Sequence, residues 1–342
     1  MENYEVIIVG AGPAGLKCAE VLSKANIKTL IIEKKETIGP KICAGGITRK
    51  FFRIFPDFPN NLLDFSTSEA FLHSPKHTHA IQTETPFVFT INREKLGQWQ
   101  LERLKKEMVT IKTNIKVLKI EPNKVITNDN QQFGFKYLVG ADGATSIVRR
   151  HLKLKSEKKI ITLHYKIPST AKNKLEVFMD NRLFNIGYAW KFPHKKYIST
   201  GCGADTRKFS SAKLKSNFHK WLTNKSIDLS NATYESAPIL FDYRGYKFEN
   251  IFLAGEAAGF TSGLTGEGIY PALVSGEEVA KLIINPGYIP NEIKNLLHYK
   301  KIQERFLTLL IIAGPFRNNI FNFIVSKLKK PKFAEKVASG FS

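Results

Sequence analysis

Three glycines and one carboxylate near the start of the chain stand at a spacing that suits a phosphate-bearing ligand. Gly10 permits a tight turn, Gly12 lets the backbone approach a pyrophosphate, and Gly15 lets a following helix pack against the preceding strand. Glu33 follows about twenty residues later, where its carboxylate can accept hydrogen bonds from ribose hydroxyls. These residue types in this order predict a bound dinucleotide.

The residues around the glycines predict the elements that position them. Residues 5–9 form an apolar, β-branched run that is typical of a buried parallel strand. Pro13 suits the first turn of a helix, and apolar residues recur at helical spacing over residues 16–25. Residues 28–32 predict a second parallel strand. The start of the helix then offers free N–H groups and a partial positive charge to phosphates.

Two later segments repeat the pattern of a strand followed by an acidic residue and glycines. Asp142 follows a predicted strand at residues 135–139, and Glu256 follows another at residues 250–254. A carboxylate in this place can accept hydrogen bonds from a ribityl chain. Gly266 opens a predicted helix whose N-terminal N–H groups can stabilise negative charge on the pyrimidine edge of a reduced flavin. The three segments in this order predict a flavin dinucleotide.

Composition limits the class of protein. The chain of 342 residues exceeds one compact core, so we expect two lobes, and its composition is that of a folded globular protein. The formal net charge is +22. That charge suits nucleic acid, an anionic membrane surface or a diphosphate substrate. It equally fits a lysine-rich composition that serves no partner.

The cysteines and the apolar runs indicate the cellular compartment in which we expect the protein. Cys18, Cys43 and Cys202 form no close pair and no metal-binding spacing, which fits a reduced, intracellular compartment. The chain begins with a predicted strand, so we expect no signal peptide. The longest apolar stretch, near residues 306–312, is far shorter than the ~20 residues of a membrane span. We expect a cytoplasmic protein, with peripheral contact at the inner face of the membrane left open.

The ordered motifs resemble those of the para-hydroxybenzoate-hydroxylase-like FAD superfamily, over most of residues 1–285. The loop at residues 41–46, Lys-Ile-Cys-Ala-Gly-Gly, looks like the Cys-Ala/Gly-Gly loop of geranylgeranyl reductases. Residues 187–193 match most of their Tyr-x-Trp-x-Phe-Pro signature. The chain therefore resembles a geranylgeranyl reductase family flavoprotein. It departs from that family in having Glu256 where Asp is usual, and Asn185 where a longer form of the signature has proline.

The resemblance implies a fold class and a domain organisation. The class is α/β, with a Rossmann-like FAD-binding domain, an inserted mixed or antiparallel sheet domain for substrate, and a helical C-terminal tail. The predicted domains are a discontinuous FAD-binding domain (1–66, 92–157 and 241–285), a substrate-binding sheet domain (67–91 and 158–240) and a C-terminal helical region (286–342). The predicted elements include strands within 67–91, a helix over 92–108, paired strands at 109–120 and 124–127, a helix near 211–223 and helices over 291–330.

The resemblance also assigns site residues. Tyr188, Trp190, Phe192 and Pro193 are implied as substrate-binding residues, since flat aromatic side chains suit a long isoprenoid. Cys43 is the candidate catalytic residue, beside the alternatives of a tyrosine or a bound water as proton donor. The implied cofactor contacts, with the motif glycines and acidic residues, are Gly10, Gly12, Ala14, Gly15, Glu33, Cys43, Ala44, Gly46, Arg93, Val117, Asp142, Glu256, Gly266, Gly268 and Ile269.

The implied function is FAD-dependent reduction of C=C bonds in the geranylgeranyl chain of a diphosphate, lipid or quinone. The electrons would come from an external donor, NAD(P)H or ferredoxin. One alternative is an FAD-dependent monooxygenase or halogenase of the same fold. Another is a non-catalytic carrier of prenyl ligands. A nucleic-acid-modifying flavoprotein is suggested by charge alone, and we expect no nucleic acid partner.

Other residues receive structural interpretations. His164 and His194 have no evident partners in the sequence and are expected to be structural or surface residues. Arg149 and Arg150 are expected to form a solvated helix face rather than a phosphate clamp. The basic and apolar tail at residues 318–330 has three open roles, since it can close a substrate tunnel, lie on a membrane surface or dock on its own domain.

Overall fold

A computed structural model of the chain describes residues 1–171, 173–207 and 209–340, and two compact units are defined within it. Unit 1 comprises Met1–Lys41, Arg93–Glu157 and Leu240–Ile302, and unit 2 comprises the remainder. The strands are β1 (Glu2–Val9), β2 (Thr29–Ile32), β3 (Gly46–Thr48), β4 (Leu63–Thr67), β5 (Glu69–His73), β6 (Thr78–Gln82), β7 (Val88–Ile91), β8 (Val109–Lys112), β9 (Val117–Glu121), β10 (Lys124–Thr127), β11 (Gln132–Gly140), β12 (Lys159–Pro168), β13 (Glu176–Phe178), β14 (Tyr188–Pro193), β15 (Tyr197–Asp205), β16 (Thr233–Leu240), β17 (Lys247–Phe248) and β18 (Ile251–Leu253). The helices are α1 (Pro13–Lys24), α2 (Lys50–Ile54), α3 (Arg93–Glu102), α4 (Ile147–His151), α5 (Asn181–Phe184), α6 (Ser211–Asn224), α7 (Ile269–Ile284), α8 (Asn291–Ala313), α9 (Arg317–Lys327) and α10 (Pro331–Ser339).

Unit 1 is built on a largely parallel sheet in the order β17-β18-β11-β1-β2-β8. β1 pairs in parallel with β2 and β11, and β11 pairs in parallel with β18. The side chains of residues 6–9 of β1 and of all of β2 are buried on both faces of the sheet, as a parallel sheet covered by helices requires. α1 and α7 pack together with this sheet in one apolar cluster. The predicted α/β class and the predicted β1-α1-β2 unit are confirmed.

The predicted strand at residues 109–120 is wrong. The structure divides it into β8, which pairs in parallel with β2, and β9, which pairs antiparallel with β10. Asn114 lies between them in the left-handed region at φ 56°. A strand cannot continue through that conformation, and asparagine is one of the few residues that adopts it readily.

Unit 2 contains a largely antiparallel sheet in the order β16-β12-β15-β14-β13-β5-β6. One face of this sheet is covered by α6, whose Phe218 and Trp221 lie in a buried cluster with residues of β12, β14 and β15. A smaller sheet has the order β3-β7-β4. Because β3 and β4 both pair with β7, residues 42–66 belong to unit 2 and not to the FAD-binding domain predicted for them.

The C-terminal helices do not form the separate region predicted for residues 286–342. Residues through Ile302 group with unit 1, and residues from Gln303 group with unit 2. The run Asn291–Lys327 is long and apolar enough, by length and composition alone, to cross a membrane, and only 22% of its most apolar window is buried. This differs from the expectation of no span, which rests on the shortness of unbroken apolar runs. A core helix of a soluble protein can meet the same criteria, so the run does not by itself identify a membrane span.

Candidate functional site

The three glycines after β1 have different structural requirements. Gly10 adopts φ +102°, and its N–H donates to the Ile32 carbonyl at 2.8 Å, which fixes the turn. A Cβ on Gly15 would lie 2.0 Å from the Gly10 carbonyl oxygen, so only glycine fits there. A Cβ on Gly12 would meet just one neighbouring atom, at 4.0 Å. Gly10 and Gly15 thus serve the fold, while Gly12 leaves open space for a ligand.

Glu33 holds the glycine turn from the end of β2. Its Oε2 accepts a hydrogen bond from the Ala11 N–H at 2.7 Å, and its Oε1 accepts one from the Lys35 N–H at 3.0 Å. α1 begins at Pro13 with no side chain capping its first turn. The N–H groups of Ala14 and Gly15 therefore start a helix that can bind a phosphate. Each carboxylate oxygen of Glu33 keeps a second lone pair for a hydroxyl.

Three buried polar atoms in unit 1 have no hydrogen-bond partner within the described residues, and two of them belong to predicted cofactor contacts. These two are Oδ1 of Asp142, whose Oδ2 accepts from the Ile147 N–H at 2.6 Å, and Nε of Arg93; the third is Oε1 of Gln100. Burial raises the pKa of Asp142. An unpaired buried polar atom is costly unless a ligand pairs with it. These atoms therefore fit a bound group that carries both hydroxyls and anionic oxygens, as FAD does.

Glu256 already has partners on both carboxylate oxygens. Its Oε2 lies 2.5 Å from Lys41 Nζ, and its Oε1 accepts from the Leu240 N–H at 3.1 Å. The side chain is therefore fixed before any ribityl hydroxyl approaches. The lysine contact also neutralises its charge, which the sequence did not predict.

The start of α7 matches the expected third motif. Gly268 occupies the N-cap position without a side-chain cap, and Ile269 is the first helical residue. Gly266 adopts φ +68°, which favours glycine. The helix starts three residues after the position expected for it, and it presents uncapped N–H groups as predicted. Val117 lies in β9 with its side chain in the core, so only its backbone is open to the adenine contact implied for it.

The three motifs lie together in unit 1. A Cβ on Gly10 would meet Ala141 O at 2.5 Å, and one on Gly255 would lie 3.0 Å from Ala14 Cβ. A Cβ on Gly143 would lie 3.6 Å from Glu256 Oε2. The glycine turn, the Asp142 segment and the Glu256 segment are thus direct neighbours.

Arg149 has a structural role that its sequence context does not predict. Its guanidinium is buried and donates to the carbonyls of Lys155, Asp242 and Ala257 and to the hydroxyl of Ser156. The expectation of a solvated face is therefore wrong for Arg149. Only Arg150, its exposed neighbour on α4, lies on such a face. Arg149 joins the Asp142 segment to the Glu256 segment through backbone carbonyls.

Unit 2 contains the loop around Cys43, which we call the cysteine loop, and β14 (Tyr188–Pro193), which we call the aromatic strand. Cys43 is partly buried and precedes β3, and Gly46 begins β3. A Cβ on Gly46 would lie 2.8 Å from the ring of Phe192, so the glycine lets that ring approach. The Pro193 carbonyl accepts from Thr90 Oγ1 at 2.6 Å. The loop and the end of β14 are therefore neighbours within this unit.

The aromatic residues of β14 differ in burial. Trp190 is buried, and its Nε1 donates to Ser199 Oγ at 3.2 Å. A Cβ on Gly201 would lie 2.3 Å from the Trp190 ring and 2.5 Å from His164 Cβ, so the indole covers that glycine. The Tyr188 ring meets Trp190 edge-on at 6.0 Å and is only half-buried. Trp190 is thus part of the core, and Tyr188 is the more accessible aromatic surface.

Both histidines are buried, so a surface role is wrong for each. His164 Nε2 lies 3.0 Å from Glu235 Oε2 without hydrogen-bond alignment, and burial lowers the pKa of His164. His194 contacts Asp64 and the Ala44 carbonyl, each at 2.9 Å. These partners lie 130 and 150 positions away in sequence, and no local pattern reveals them.

The glycine turn, the uncapped helix starts and the strand order together define an FAD-binding oxidoreductase fold. The chain belongs to the pyridine nucleotide-disulphide oxidoreductase family, whose model matches residues 7–179. It is an FAD-dependent oxidoreductase.

Comparison with named proteins shows which members of the wider fold the chain is similar to. The chain is 28% identical to the geranylgeranyl diphosphate reductase of Rhodobacter capsulatus, over 82% of this chain and 74% of that protein. It is also 28% identical to digeranylgeranylglycerophospholipid reductase 3 of Methanosphaera stadtmanae, over 87% and 83%. The crystal structure of a geranylgeranyl bacteriochlorophyll reductase-like protein from Thermoplasma acidophilum matches at a TM-score of 0.83 and 19% identity, covering 100% of this chain and 96% of that one. The resemblance to geranylgeranyl reductases is confirmed.

Proposed function

We propose that this protein reduces C=C bonds in the isoprenoid chain of a geranylgeranyl diphosphate, lipid or quinone. The observation that carries the proposal is the fit of unit 1 to FAD, with its uncapped helix starts and its unpartnered Asp142 and Arg93 atoms. The resemblance to reductases that are named for geranylgeranyl substrates supports the substrate class. The bound cofactor supplies hydride transfer, and the protein supplies binding and orientation.

The residues of unit 1 bind and orient the cofactor. The N–H groups at the start of α1, beside Gly12, receive the pyrophosphate. Asp142 Oδ1 would accept a hydrogen bond from a hydroxyl of the cofactor, and Arg93 Nε would donate one to an anionic or carbonyl oxygen. The N–H groups at the start of α7 place a partial positive charge toward the pyrimidine edge. The same charge would stabilise the reduced cofactor more than the oxidised one.

The residues of unit 2 receive the isoprenoid chain. Tyr188 and Phe192 are half-buried on one strand and offer flat apolar surface. Burial of apolar surface contributes about 0.8 kcal/mol per CH₂, so a long prenyl chain gains substantially from such a surface. Cys43, in the loop that precedes β3, is the proposed thiol beside the reacting alkene.

An anaerobic reoxidation experiment tests this function. The flavin of the purified protein is reduced chemically, geranylgeranyl diphosphate is added without oxygen, and the oxidised flavin absorbance is followed. Return of the oxidised band together with a more saturated product supports the proposal. The fully saturated phytanyl diphosphate is the matched control and should leave the flavin reduced.

Other outcomes would replace the proposal. A band that returns only when oxygen enters, with a hydroxylated or halogenated product, would favour the monooxygenase or halogenase alternative. Purification without any flavin, even after incubation with FAD, would favour the prenyl carrier. Rates with a digeranylgeranyl glycerophospholipid and with the diphosphate then identify the head group, and NADPH and reduced ferredoxin are compared as donors.

We also propose that the C-terminal helices bring the enzyme to an anionic membrane surface. Between Glu304 and Glu335 the sequence carries six basic residues and no acidic one. The same segment exposes large apolar side chains, a combination that suits anionic lipid. They are Leu309 (52% exposed), Ile312 (77%), Phe316 (69%) and Phe323 (60%).

Vesicle flotation tests this contact. The protein should float with phosphatidylglycerol vesicles and not with phosphatidylcholine vesicles. The double variant Ile312→Ser/Phe316→Ser should lose the binding. Leu118→Ser, at an exposed apolar residue elsewhere, should retain it. Equal binding of both vesicle types, or none, contradicts the proposal.

A further inference from the structure

His194 lies between two hydrogen-bond acceptors in unit 2. Its Nδ1 is 2.9 Å from Asp64 Oδ2, and its Nε2 is 2.9 Å from the Ala44 carbonyl oxygen. A carbonyl oxygen only accepts, so Nε2 carries a proton. A second proton must lie between Nδ1 and Oδ2 for that contact to be a hydrogen bond. The pair is an imidazolium beside a carboxylate, or its neutral equivalent with the second proton on Asp64.

This pair is shielded from water and held by packing. The side chains of His194 and Asp64 are 1% and 5% exposed. The Tyr197 ring stacks on the imidazole with ring centres 4.3 Å apart and planes 11° apart. On another side, Gly45 adopts φ +79°, and a Cβ there would lie 2.6 Å from His194 Cε1. The imidazole therefore has one orientation, and Gly45 is required for its close approach.

The same imidazole acts on Cys43 through a single peptide group. The Gly45 N–H donates to Cys43 Sγ at 3.3 Å. The Ala44 carbonyl, which His194 holds, belongs to the same planar peptide unit as that N–H. Fixing the carbonyl fixes the direction of the N–H. A proton donor on the carbonyl also polarises the peptide, which strengthens its N–H as a donor to sulfur.

We infer that His194, held by Asp64, is a positioning residue that orients the Ala44–Gly45 peptide and, through it, the Cys43 thiol. The inference about the thiol stands on this geometry, and its importance for turnover rests on the proposed function of Cys43. His194 touches neither substrate nor cofactor in this role. It sets the direction and the hydrogen bonding of the Cys43 sulfur, which is the atom proposed to lie beside the reacting alkene.

Alkylation of Cys43 tests the inference without any substrate. The FAD-loaded protein is treated with iodoacetamide at pH 7, and modification of the Cys43 peptide is followed by mass spectrometry. Cys18 and Cys202 are fully buried and do not compete. His194→Ala should slow alkylation roughly fivefold, the factor for one hydrogen bond of about 1 kcal/mol. His194→Gln, whose amide can donate to Ala44, should restore most of the rate.

A matched control separates positioning from general damage. His73 stacks on Phe178 with ring centres 4.2 Å apart and lies 3.0 Å from Glu176, so it repeats the stacking and the carboxylate contact in the same unit. His73→Ala should leave the alkylation rate of Cys43 unchanged.

The opposite results overturn the inference. Unchanged or faster alkylation in His194→Ala would mean that the histidine only packs the loop, and so would failure of the glutamine variant to restore the rate. If His194→Ala does not fold, Asp64→Asn replaces it and should slow alkylation to a smaller extent. Absence of prenyl reduction by the wild type, with the alkylation pattern intact, would remove the proposed function alone.

Discussion

Unit 1 and unit 2 build their candidate binding groups in different ways. In unit 1 the groups are mostly backbone N–H groups at glycines and helix starts, such as Gly12 and Gly268, and each of them lies within a short stretch of sequence beside the helix that it begins. In unit 2 the arrangement depends on side chains, since His194 contacts the Asp64 carboxylate and the Ala44 backbone carbonyl from a distant segment. A backbone site is therefore encoded by local spacing, whereas a side-chain site is encoded by strand register, which spacing does not reveal.

The largest effect is expected from replacing Gly15, and a comparison with Gly12 tests whether these two glycines of unit 1 have separate roles. Gly15→Ala places a Cβ 2.0 Å from a backbone oxygen, so we expect loss of about 4 kcal/mol or more in the free energy of unfolding. Gly12→Ala places its Cβ in open space, so the FAD-free protein should melt as the wild type does. Its Kd for FAD should rise about tenfold or more, because the pyrophosphate loses its approach. Thermal melts with and without FAD measure both, and wild-type FAD affinity in Gly12→Ala would contradict the assigned role.

Arg149 is one place where unit 1 does depend on a side chain that contacts distant segments. Arg149→Met removes a buried donor from the carbonyls of Asp242 and Ala257, and we expect a loss of about 3–5 kcal/mol in the free energy of unfolding. Urea denaturation measures it. Arg150→Met, at the exposed neighbour, is the control and should change stability by less than about 0.5 kcal/mol. Similar losses in the two variants would mean that the buried contacts carry no special weight.

The charged cluster of Glu176, His73 and Lys191 in unit 2 predicts that the free energy of unfolding depends on pH in the acid range. A site built from backbone groups has no such dependence. Burial alone would raise the pKa of Glu176, but hydrogen bonds from His73 and Lys191 outweigh it and lower that pKa to about 2. The unfolded carboxyl titrates near 4.5, so between pH 4.5 and 2 only the unfolded state takes the proton. The stabilisation is complete above that window and is lost as the pH falls through it.

Glu176→Gln measures this stabilisation. At pH 7 the wild type should exceed the variant by up to about 3 kcal/mol in the free energy of unfolding. The difference should shrink from pH 4.5 downward and vanish near pH 2. Urea midpoints collected across this range provide the measurement, and a difference that does not vary with pH would refute the ionic origin.

The smallest expected effect concerns the aromatic strand. Tyr188→Ala removes half-buried apolar surface, and the loss of about 1.4 kcal/mol in substrate binding should raise KM for geranylgeranyl diphosphate about tenfold. FAD content should not change. Tyr234→Ala is the control, because Tyr234 packs on Tyr165 in the same sheet. Steady-state kinetics of both variants decide whether Tyr188 binds substrate or only packs the sheet.

Local residue patterns predict the part of the molecule that local forces build. The bounds of β1, α1 and β2 follow from β-branched runs, Pro13 and the glycine spacing, and they are observed within three residues of expectation. The division of residues 109–120 was missed because Asn114 is a single turn-forming residue within a run of strand-forming residues. The burial of Arg149 and the partners of His194 depend on segments that only the folded chain brings together.

The contact between Glu157 and Asp242 bears on how the segment between them can vary among related proteins. The chain leaves unit 1 after Glu157 and returns at Leu240, and the Glu157 N–H donates to Asp242 Oδ2 at 2.8 Å. The points at which the chain leaves and re-enters unit 1 are therefore adjacent. For the sheet of unit 1, the residues between them are equivalent to one long surface loop. Doubling the length of such a loop costs only about 0.6 kcal/mol. Insertions, deletions or exchange of that whole segment between relatives would leave the parallel sheet unstrained, so substrate range can diverge while the cofactor fold is retained.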